Sequence, residues 1–377
     1  MAGIYIHIPF CKKRCIYCDF FSTTQNEKRL EYVKAVCKEM KQRVPYLSGE
    51  PIETIYIGGG TPSQLNHEEL ALIFHTIFEN YEIKTGAEIT LEANPDDLDS
   101  AYVNMLRTLP INRISMGIQT FQDETLKLLN RRHNAQQAKD AVDNCKKAGF
   151  NNISIDLIYG LPNETIESWK NDLAQAIALH PEHISAYHLI YEEGTPLWEL
   201  RKKHQVDEVN EDLSNLFFDT LIKELKRAGY EHYEISNFCL PGHHSRHNSS
   251  YWTEKKYLGL GPSAHSYDGV SRQWNVANLD QYMEGINRGE PLFEIEELDL
   301  YTQYNDYVIT SMRTCWGMSL DKLKHKYGAK LYDYCIKMVT PHLKQGTVEI
   351  EGDILRFTPS GIFISDGIMS DMLWVED

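Results

Sequence analysis

The stretch that decides the fold is Tyr5-Ile-His-Ile-Pro-Phe-Cys11-Lys-Lys-Arg-Cys15-Ile-Tyr-Cys18. Polar and apolar residues alternate up to Ile8, which indicates a β-strand with two different faces. Three cysteines follow at once, in the order C-x3-C-x2-C. Parallel α/β folds place their sites in loops at the carboxyl ends of strands. The pattern therefore predicts a strand that delivers three thiols to such a loop.

The same unit of strand and helix recurs through the first 230 residues. The predicted strands are Gly3–Ile8, Ile52–Ile57, Ala87–Glu92, Arg113–Gln119, Asn152–Tyr159 and Glu182–Ile190. The predicted helices are Glu27–Val44, Asn66–Glu79, Asp99–Leu109, Ala135–Ala148, Ile166–Leu179 and Asn210–Ala228. Strands that alternate with helices form parallel sheets, so the chain is of the α/β class, with an open barrel or a doubly wound sheet.

Residue parity along the strands favours the barrel. Isoleucine, leucine and methionine share one face of each strand, and the opposite face carries Tyr5, His7, Glu92, Gln119 and Asp156. A parallel sheet covered by helices on both faces would be apolar on both. The polar face therefore predicts an interior that holds a polar ligand.

Unusual residues also gather where four consecutive strands end. Gly58-Gly-Gly-Thr-Pro62 follows the second strand, Glu92-Ala-Asn-Pro95 ends the third, and Gln119 ends the fourth. Because these ends meet at one edge of a parallel sheet, we expect the residues to form one site with the cysteines.

The cysteine triplet has three chemical interpretations. Three thiolates on one tight loop can hold three irons of a 4Fe–4S cluster and leave the fourth iron open to a ligand, which is the interpretation we favour. A structural zinc site needs four ligands, and a Cys15–Cys18 redox pair would leave Cys11 unused. The other cysteines, at positions 37, 145, 239, 315 and 335, are scattered and are expected to be mostly buried hydrophobes.

Composition excludes several classes of protein. The 377 residues are 42% hydrophobic and 24% charged, as in ordinary globular proteins. A net charge of −16 argues against general nucleic-acid binding. No apolar run reaches the roughly 18 residues of a transmembrane segment. Since the first residues do not resemble a signal peptide, we expect a reducing, cytoplasmic location.

Beyond residue 230 the alternation of strand and helix stops. Residues 236–275 are rich in glycine, histidine, serine and aromatic residues, and residues 300–377 suggest two or three helices with a strand pair at Thr347–Glu351 and Ile354–Phe357. We therefore expect three parts: a (β/α)6 core over 1–235, a connecting segment over 236–299 that could close the site, and a mainly helical C-terminal domain over 300–377.

Taken together, the motifs resemble the radical S-adenosylmethionine (SAM) superfamily and, within it, the oxygen-independent coproporphyrinogen III oxidase-like family, which includes the heme chaperone (HemW) branch. The matching motifs run from about residue 4 to 270 and include Ser115-Met-Gly-Ile-Gln119, Asp156-Leu-Ile-Tyr-Gly-Leu-Pro162 and Gly259-Leu-Gly-Pro-Ser-Ala264. The C-terminal part matches loosely. The resemblance implies a partial (β/α)6 radical SAM barrel followed by a small, mainly helical, HemN C-terminal-like domain.

The resemblance also implies site residues. Cys11, Cys15 and Cys18 would ligate the 4Fe–4S cluster, and SAM would chelate the fourth iron. The positions matching the family's SAM contacts are Tyr5, Tyr17, Gly59, Gly60, Thr61, Glu92, Gln119, Arg131, Asp156 and Ile190. Gln119 and Asp156 could instead be core polar groups, and Arg131 a surface charge. No residue is assigned a catalytic role.

Three departures separate the chain from the decarboxylating dehydrogenase of that family. Phe20 stands where the dehydrogenase has a fourth cysteine, the first strand begins almost at residue 1, and His265 replaces an aliphatic residue. The stretch His247-Asn-Ser-Ser-Tyr-Trp252 resembles the HNxxYW motif of the heme chaperone branch. These departures argue against coproporphyrinogen dehydrogenase activity, which we keep as the alternative.

A tetrapyrrole suits the residues of that motif. His247 could ligate heme iron, Tyr251 and Trp252 could stack on the macrocycle, and cationic residues could offset its propionates. The residues considered for the propionates are His243, His244, Arg246 and Arg272. Alternatives stay open: the motif could be a packed loop, Cys239 with His243, His244 and His247 could bind zinc, and His265 could be a core histidine or a porphyrin or SAM contact.

The sequence analysis gives three competing hypotheses for the function. The first is a heme chaperone on a SAM-binding 4Fe–4S scaffold that delivers heme to acceptor proteins such as respiratory membrane cytochromes, in the cytoplasm and peripherally at the membrane. The second is a radical SAM coproporphyrinogen III dehydrogenase supplied with electrons by flavodoxin or ferredoxin. The third is a zinc or redox protein without SAM chemistry.

Overall fold

A row of parallel strands forms the centre of the computed structural model, which describes residues 1–375. The strands are β1 (Ala2–Ile8), β2 (Ile52–Gly59), β3 (Ile83–Ala93), β4 (Arg113–Gln119), β5 (Ile153–Tyr159) and β6 (His183–His188). They lie side by side in chain order, and each pairs in parallel with the next. The α/β class and the six predicted strands are confirmed, with ends that differ by a few residues.

Helices connect these strands. They are α1 (Arg29–Gln42), α2 (His67–Asn80), α3 (Ser100–Leu106), α4 (Asp123–Leu128), α5 (Ala135–Lys147), α6 (Ile166–Ala178), α7 (Pro196–Lys202) and α8 (Glu211–Arg227). Asn66, Asn134 and Thr165 begin three of them with capping boxes, which satisfy free backbone N–H groups. The six predicted helices are confirmed. The sequence analysis missed α4 and α7 because six or seven residues show too little periodicity.

The main core lies between the apolar strand faces and the helices. Ile4, Ile6 and Ile8 of β1 are fully buried there, as are Ile114 and Met116 of β4. The predicted parity is therefore confirmed, and it leaves the polar faces turned to the interior of the partial barrel.

The predicted connecting segment, residues 236–299, adds strands to the sheet. After β7 (Glu231–Glu234), which precedes it, the segment contains β8 (Asn237–Cys239), α9 (Arg246–Trp252), β9 (Tyr257–Leu260), β10 (His265–Tyr267), β11 (Ser271–Asn275), α10 (Leu279–Arg288) and β12 (Phe293–Glu297). The strand order is β12-β11-β10-β9-β1-β2-β3-β4-β5-β6-β8-β7. β9 is a seventh parallel strand, next to β1. These strands have only three to five residues, so periodicity could not reveal them. The division into three parts stays a prediction.

The C-terminal residues form a separate small core. Its elements are α11 (Leu300–Met312), β13 (Met318–Ser319), α12 (Leu320–Gln345), β14 (Val348–Glu351), β15 (Ile354–Phe357) and α13 (Ser365–Met372). The expected helices and strand pair are confirmed, and β13 completes a three-stranded antiparallel sheet. Within residues 1–375, no helix combines the length and apolarity needed to span a membrane.

Candidate cofactor site at the mouth of the barrel

A cavity of about 400 Å³ opens at the carboxyl ends of the parallel strands. Its wall contains every predicted cluster and SAM residue except Tyr5. These residues are Cys11, Cys15, Tyr17, Cys18, Gly59, Gly60, Thr61, Glu92, Gln119, Arg131, Asp156 and Ile190. The loops that follow successive strands thus converge on one site, as parallel strand ends require.

The three cysteines are free thiols on the wall of this cavity. Cys11 is buried and accepts a hydrogen bond from Thr61 Oγ1 at 3.4 Å, and Arg131 Nη1 lies 3.4 Å from Cys15 Sγ. Burial raises the pKa of Cys11 and raises that of Cys18 to about 11. A bound metal is the partner that would hold such thiols as thiolates. The donor set fits an iron–sulfur cluster.

Two glycines let the second loop approach the cysteine loop. A Cβ at Gly59, where φ is +113°, would lie 2.8 Å from His7 Nδ1. A Cβ at Gly60 would lie 3.0 Å from Cys11 Sγ. Any larger residue would therefore push the two loops apart, which explains the glycines physically.

Two carboxyl groups line the inner part of the cavity. Glu92 accepts hydrogen bonds from Tyr56 Oη at 2.7 Å and from the backbone N–H of Gly59 at 3.0 Å. Burial raises the pKa of Glu92 to about 7, and the negative charge of Asp156 adds to the shift. Burial also raises the pKa of Asp156 to about 6, against hydrogen bonds from Ser185 and Ser115. Buried carboxylates of this kind suit a cationic ligand such as SAM.

Arg131 points into the site. Its Nη2 donates to Asn94 Oδ1 at 2.9 Å and to the carbonyl oxygen of Gly117. The surface-charge alternative for Arg131 is therefore wrong, because tertiary contacts from β4 and the loop after β3 hold the guanidinium at the cavity. Gln119, at a φ of +71°, also faces the cavity rather than the core.

Tyr5 lies beside His7 inside the barrel. Its hydroxyl is 3.0 Å from His7 Nδ1, and His7 Nε2 is 2.8 Å from the carbonyl oxygen of Phe21. These contacts link β1 to the end of the cysteine loop. A direct contact of Tyr5 with SAM stays a prediction.

The sequence analysis missed several residues of the cavity wall. They are Tyr56, Ser185, Tyr187 and Asn248. Parity along β2 could have revealed Tyr56, because Thr54, Tyr56 and Gly58 share the interior face. Asn248 comes from α9, and no local signal connects that helix to the barrel.

His247 lies inside the barrel near the amino ends of β1 and β2. It is 1% exposed, with Nδ1 2.8 Å from Thr54 Oγ1 and Nε2 2.8 Å from Tyr251 Oη. Its ring stacks on Tyr56, with 5.1 Å between centroids. Burial lowers the pKa of His247 to about 3, so the ring is neutral. Both ring nitrogens are engaged in this arrangement, and the role of heme ligand stays a prediction.

The side chains of the other residues considered for heme contact different parts of the fold. Tyr251 faces the barrel interior beside His247, whereas Trp252 packs under the guanidinium of Arg313 at 5.1 Å. Arg246 Nη1 donates to the carbonyl oxygen of Gly86 at 2.7 Å, and Arg272 pairs with Glu296 and Asp306. Each of these residues thus has a partner within the protein, and their contact with heme stays a prediction.

The zinc set considered around Cys239 is not assembled. His247 lies in the barrel, whereas Cys239 lies beside Glu231 and His244. Of the histidines considered, His244 lies beside Cys239, whereas α9 turns His247 away from this loop. His265 is exposed and stacks on Trp274 with 5.8 Å between centroids, so the core alternative for His265 is also wrong.

Comparison with known proteins agrees with this geometry. The radical SAM superfamily is matched over residues 5–176 and the HemN C-terminal domain over residues 298–364. A heme chaperone HemW of Lactococcus lactis is 32% identical, with 98% of this chain and 96% of the relative covered. One of Bacillus subtilis is 30% identical, covering 99% of each.

A solved structure shows the same fold. The coproporphyrinogen III oxidase HemN of Escherichia coli superposes with a TM-score of 0.86 at 24% identity, covering 98% of this chain and 89% of that one. Members of the radical SAM superfamily hold a 4Fe–4S cluster and SAM, which the cavity residues suit. The chain therefore belongs to the radical SAM superfamily and, within it, to the HemW family.

Proposed function

We propose that the protein is a heme chaperone on a SAM-binding 4Fe–4S scaffold, which passes heme to acceptor proteins such as respiratory membrane cytochromes. The observation that carries this proposal is the similarity, over nearly the whole chain, to proteins named heme chaperones. Phe20, 64% exposed at the cavity, occupies the position of the dehydrogenase's fourth cysteine and argues against that activity. Delivery to membrane cytochromes would place the protein in the cytoplasm, partly at the membrane surface.

The cysteine loop would hold the cluster through Cys11, Cys15 and Cys18. When bound, the cluster supplies an iron with an open position for the amino and carboxylate groups of SAM. Arg131 carries a positive charge next to Cys15 Sγ and is positioned by Asn94 and Gly117. That charge offsets the negative charge of the thiolates and the SAM carboxylate.

The two buried carboxyl groups would orient the rest of SAM. Glu92 is held by Tyr56 and the Gly59 N–H, and its cavity side would accept a hydrogen bond from the amino group of SAM. Asp156 can accept hydrogen bonds from the ribose hydroxyls. Ile190, exposed at the rim, would contact the adenine through its backbone and side chain.

Heme ligation by His247 would require a local rearrangement. One hydrogen bond of the ring must open, and the bond from Nε2 to Tyr251 Oη is the one within α9 itself. Because both residues belong to α9, a shift of the whole helix would leave this bond intact, and rotation of the Tyr251 side chain would release Nε2. The proposal therefore predicts that removing the Tyr251 hydroxyl favours heme binding.

A hemin titration of the cluster-loaded protein under anaerobic conditions tests the proposal. We expect saturable binding by the Soret band, lost or spectrally changed in His247→Ala and retained or tightened in Tyr251→Phe. His183→Ala is the matched control, because His183 is also buried, with Ser154 Oγ at 2.8 Å and Tyr233 Oη at 2.7 Å.

Three outcomes contradict this assignment. Equal binding by the parent and His247→Ala would exclude His247 as ligand, and equal loss in His247→Ala and His183→Ala would indicate a general loss of packing. Absence of saturable binding would overturn the chaperone function. In that case, loss of carbon dioxide from coproporphyrinogen, with reduced flavodoxin or ferredoxin as donor, would establish the dehydrogenase instead.

A further inference from the structure

Three side chains of different ligand chemistry meet outside the barrel cavity. One ligand atom each of Glu231, Cys239 and His244 lies within 4.8 Å of the others. His244 Nε2 is 3.2 Å from a carboxylate oxygen of Glu231. The cluster lies where β7 ends the large sheet and meets the C-terminal residues.

The fold places these residues together by sheet register. β7 and β8 are antiparallel, and Glu231 lies directly opposite Cys239. Opposite residues point to the same face, with side chains close enough to interact. His244 comes from the loop before α9, and its ring packs edge-on against Tyr233 at 4.7 Å between centroids. Its imidazole is therefore held over the strand pair.

A second thiol lies beside this cluster. The backbone N–H of Cys315 donates to the carbonyl oxygen of Tyr233 at 2.9 Å, and Thr314 forms a bridge with Glu234. This pairing puts Cys315 alongside β7, next to Tyr233. Burial raises the pKa of both Cys315 and Cys239, and the negative charge of Glu231 adds to each shift. Cys315 is exposed, so its side chain is free to turn toward the other donors.

The chemistry of the donors selects the cation. Sulfur, imidazole nitrogen and one carboxylate form a ligand set used by zinc, which takes four ligands in structural sites. Calcium and magnesium prefer oxygen ligands only. We propose that Glu231, Cys239 and His244, with Cys315 as fourth ligand, bind a thiophilic divalent cation of the zinc class.

Such a site would link three parts of the fold. Glu231 and Cys239 belong to the end of the large sheet, His244 leads directly into α9, and Cys315 belongs to the turn after α11. A bound ion would therefore fasten the loop that precedes His247 to the C-terminal residues. This inference is independent of the proposed heme function.

Cobalt is a suitable probe, because Co²⁺ replaces Zn²⁺ and reports thiolate ligands by charge-transfer absorption. The full-length chain carrying Cys11→Ser, Cys15→Ser and Cys18→Ser removes the cluster thiols and serves as background. We expect this background to bind about one Co²⁺ with the thiolate band and the visible bands of a four-coordinate ion. Adding Cys239→Ser or His244→Ala should weaken binding at least about tenfold.

Cys145→Ser is the matched control, since Cys145 is as fully buried as Cys239 but lies in α5. Zinc content of the parent chain, measured beside its iron content, gives a second readout that does not depend on the background. It should be about one per chain, kept in Cys145→Ser and lost in His244→Ala.

The result that overturns the proposal is a folded background chain that binds no Co²⁺, or one that binds it equally after Cys239→Ser and His244→Ala. Circular dichroism establishes folding of each variant. If Cys239→Ser does not fold, His244→Ala decides the question, because His244 is partly exposed and its removal leaves the core intact.

Discussion

At the scale of single residues, the chemistry of the cavity depends on carboxyl groups whose pKa is raised by burial. Glu92 has an ordinary pKa of 4.5, which burial raises to about 7. Near neutral pH this carboxyl is only partly ionised without a ligand. A cationic ligand would favour its ionised form, so ligand binding and proton release are coupled.

Replacing this carboxyl tests the coupling. SAM affinity of the cluster-loaded protein should rise with pH through about 7, because only ionised Glu92 carries the negative charge that attracts the cationic SAM. In Glu92→Gln the affinity should be weaker and should change less with pH in this range, because only Asp156, whose pKa burial raises to about 6, still titrates beside the ligand. Calorimetry at about pH 6 and about pH 8 measures both effects.

The same group predicts the pH dependence of stability without ligand. Since the folded-state pKa exceeds the unfolded value, the folded state binds more protons between about pH 4.5 and about 7, and stability falls as pH rises there. Glu92→Gln should therefore melt at a higher temperature than the parent above pH 7. Glu164 is another buried carboxyl with a raised pKa, so Glu164→Gln is the control for the SAM titration. This variant should bind SAM with the same pH dependence as the parent.

Replacement of the cysteine triplet tests the cluster. The variant with serine at Cys11, Cys15 and Cys18 should lose its iron, its sulfide and its brown colour after anaerobic reconstitution, because no other thiol lines the described cavity. Heme binding should persist, since His247 lies outside the cysteine loop. Cys37→Ser, in α1, should keep the full cluster absorption. A full cluster signal in the triple variant would refute the metal assignment.

At the scale of elements, α9 is held in place by a carboxylate of another strand. Glu88 of β3 accepts hydrogen bonds from the backbone N–H groups of Arg246 at 3.0 Å and His247 at 2.9 Å. These groups belong to the first turn of α9, where N–H groups have no partner within the helix and a negative charge is favourable. One buried side chain thus positions the helix that carries His247.

Glu88→Gln should loosen this helix. The amide keeps one acceptor and loses the other, so a buried N–H is left without a partner at a cost of about 1–3 kcal/mol. Hydrogen exchange of residues 246–252 should accelerate, and denaturant unfolding should report the loss of stability. Glu53→Gln is the control, because the Glu53 carboxylate on neighbouring β2 pairs with Lys84 and Lys255 and not with the N–H groups that begin α9. Unchanged exchange in Glu88→Gln would show that other contacts hold α9.

At the scale of the whole molecule, a buried ion pair joins the large sheet to the C-terminal residues. Glu234 of β7 is 3% exposed and accepts from Arg313 Nε at 3.3 Å and Nη2 at 3.1 Å. The same guanidinium covers Trp252 at the end of α9. Arg313 therefore connects three parts of the chain.

Arg313→Ala should destabilise the protein by about 3 kcal/mol, because it leaves the buried carboxylate of Glu234 without its cation. The loss should be smaller in Arg313→Lys, which keeps the charge but not the two-nitrogen contact. Chemical denaturation measures both. Arg227→Ala, which removes an exposed pair with Glu224 on α8, should change stability little. Equal stability of Arg313→Ala and the parent would contradict the proposed link.

The sequence by itself determined the strands β1 to β6, the helices between them and the cysteine and glycine loops. Their signals are local: parity along a strand, periodicity along a helix and the spacing of thiols on one loop. Because parallel strands bring their carboxyl ends to one edge, most of the cavity wall followed from these local patterns.

Only the tertiary structure decided the position of His247 and the side chains that surround Cys239. Thr54 and His247 are 193 residues apart in the chain and 2.8 Å apart in the fold. Short strands and a seven-residue helix have too little periodicity for their positions in the fold to be predicted from sequence. Their positions depend on strand register and burial across the whole sheet. Strand register also brings together Glu231 and Cys239 of the proposed cation site, to which His244 is added by the following loop.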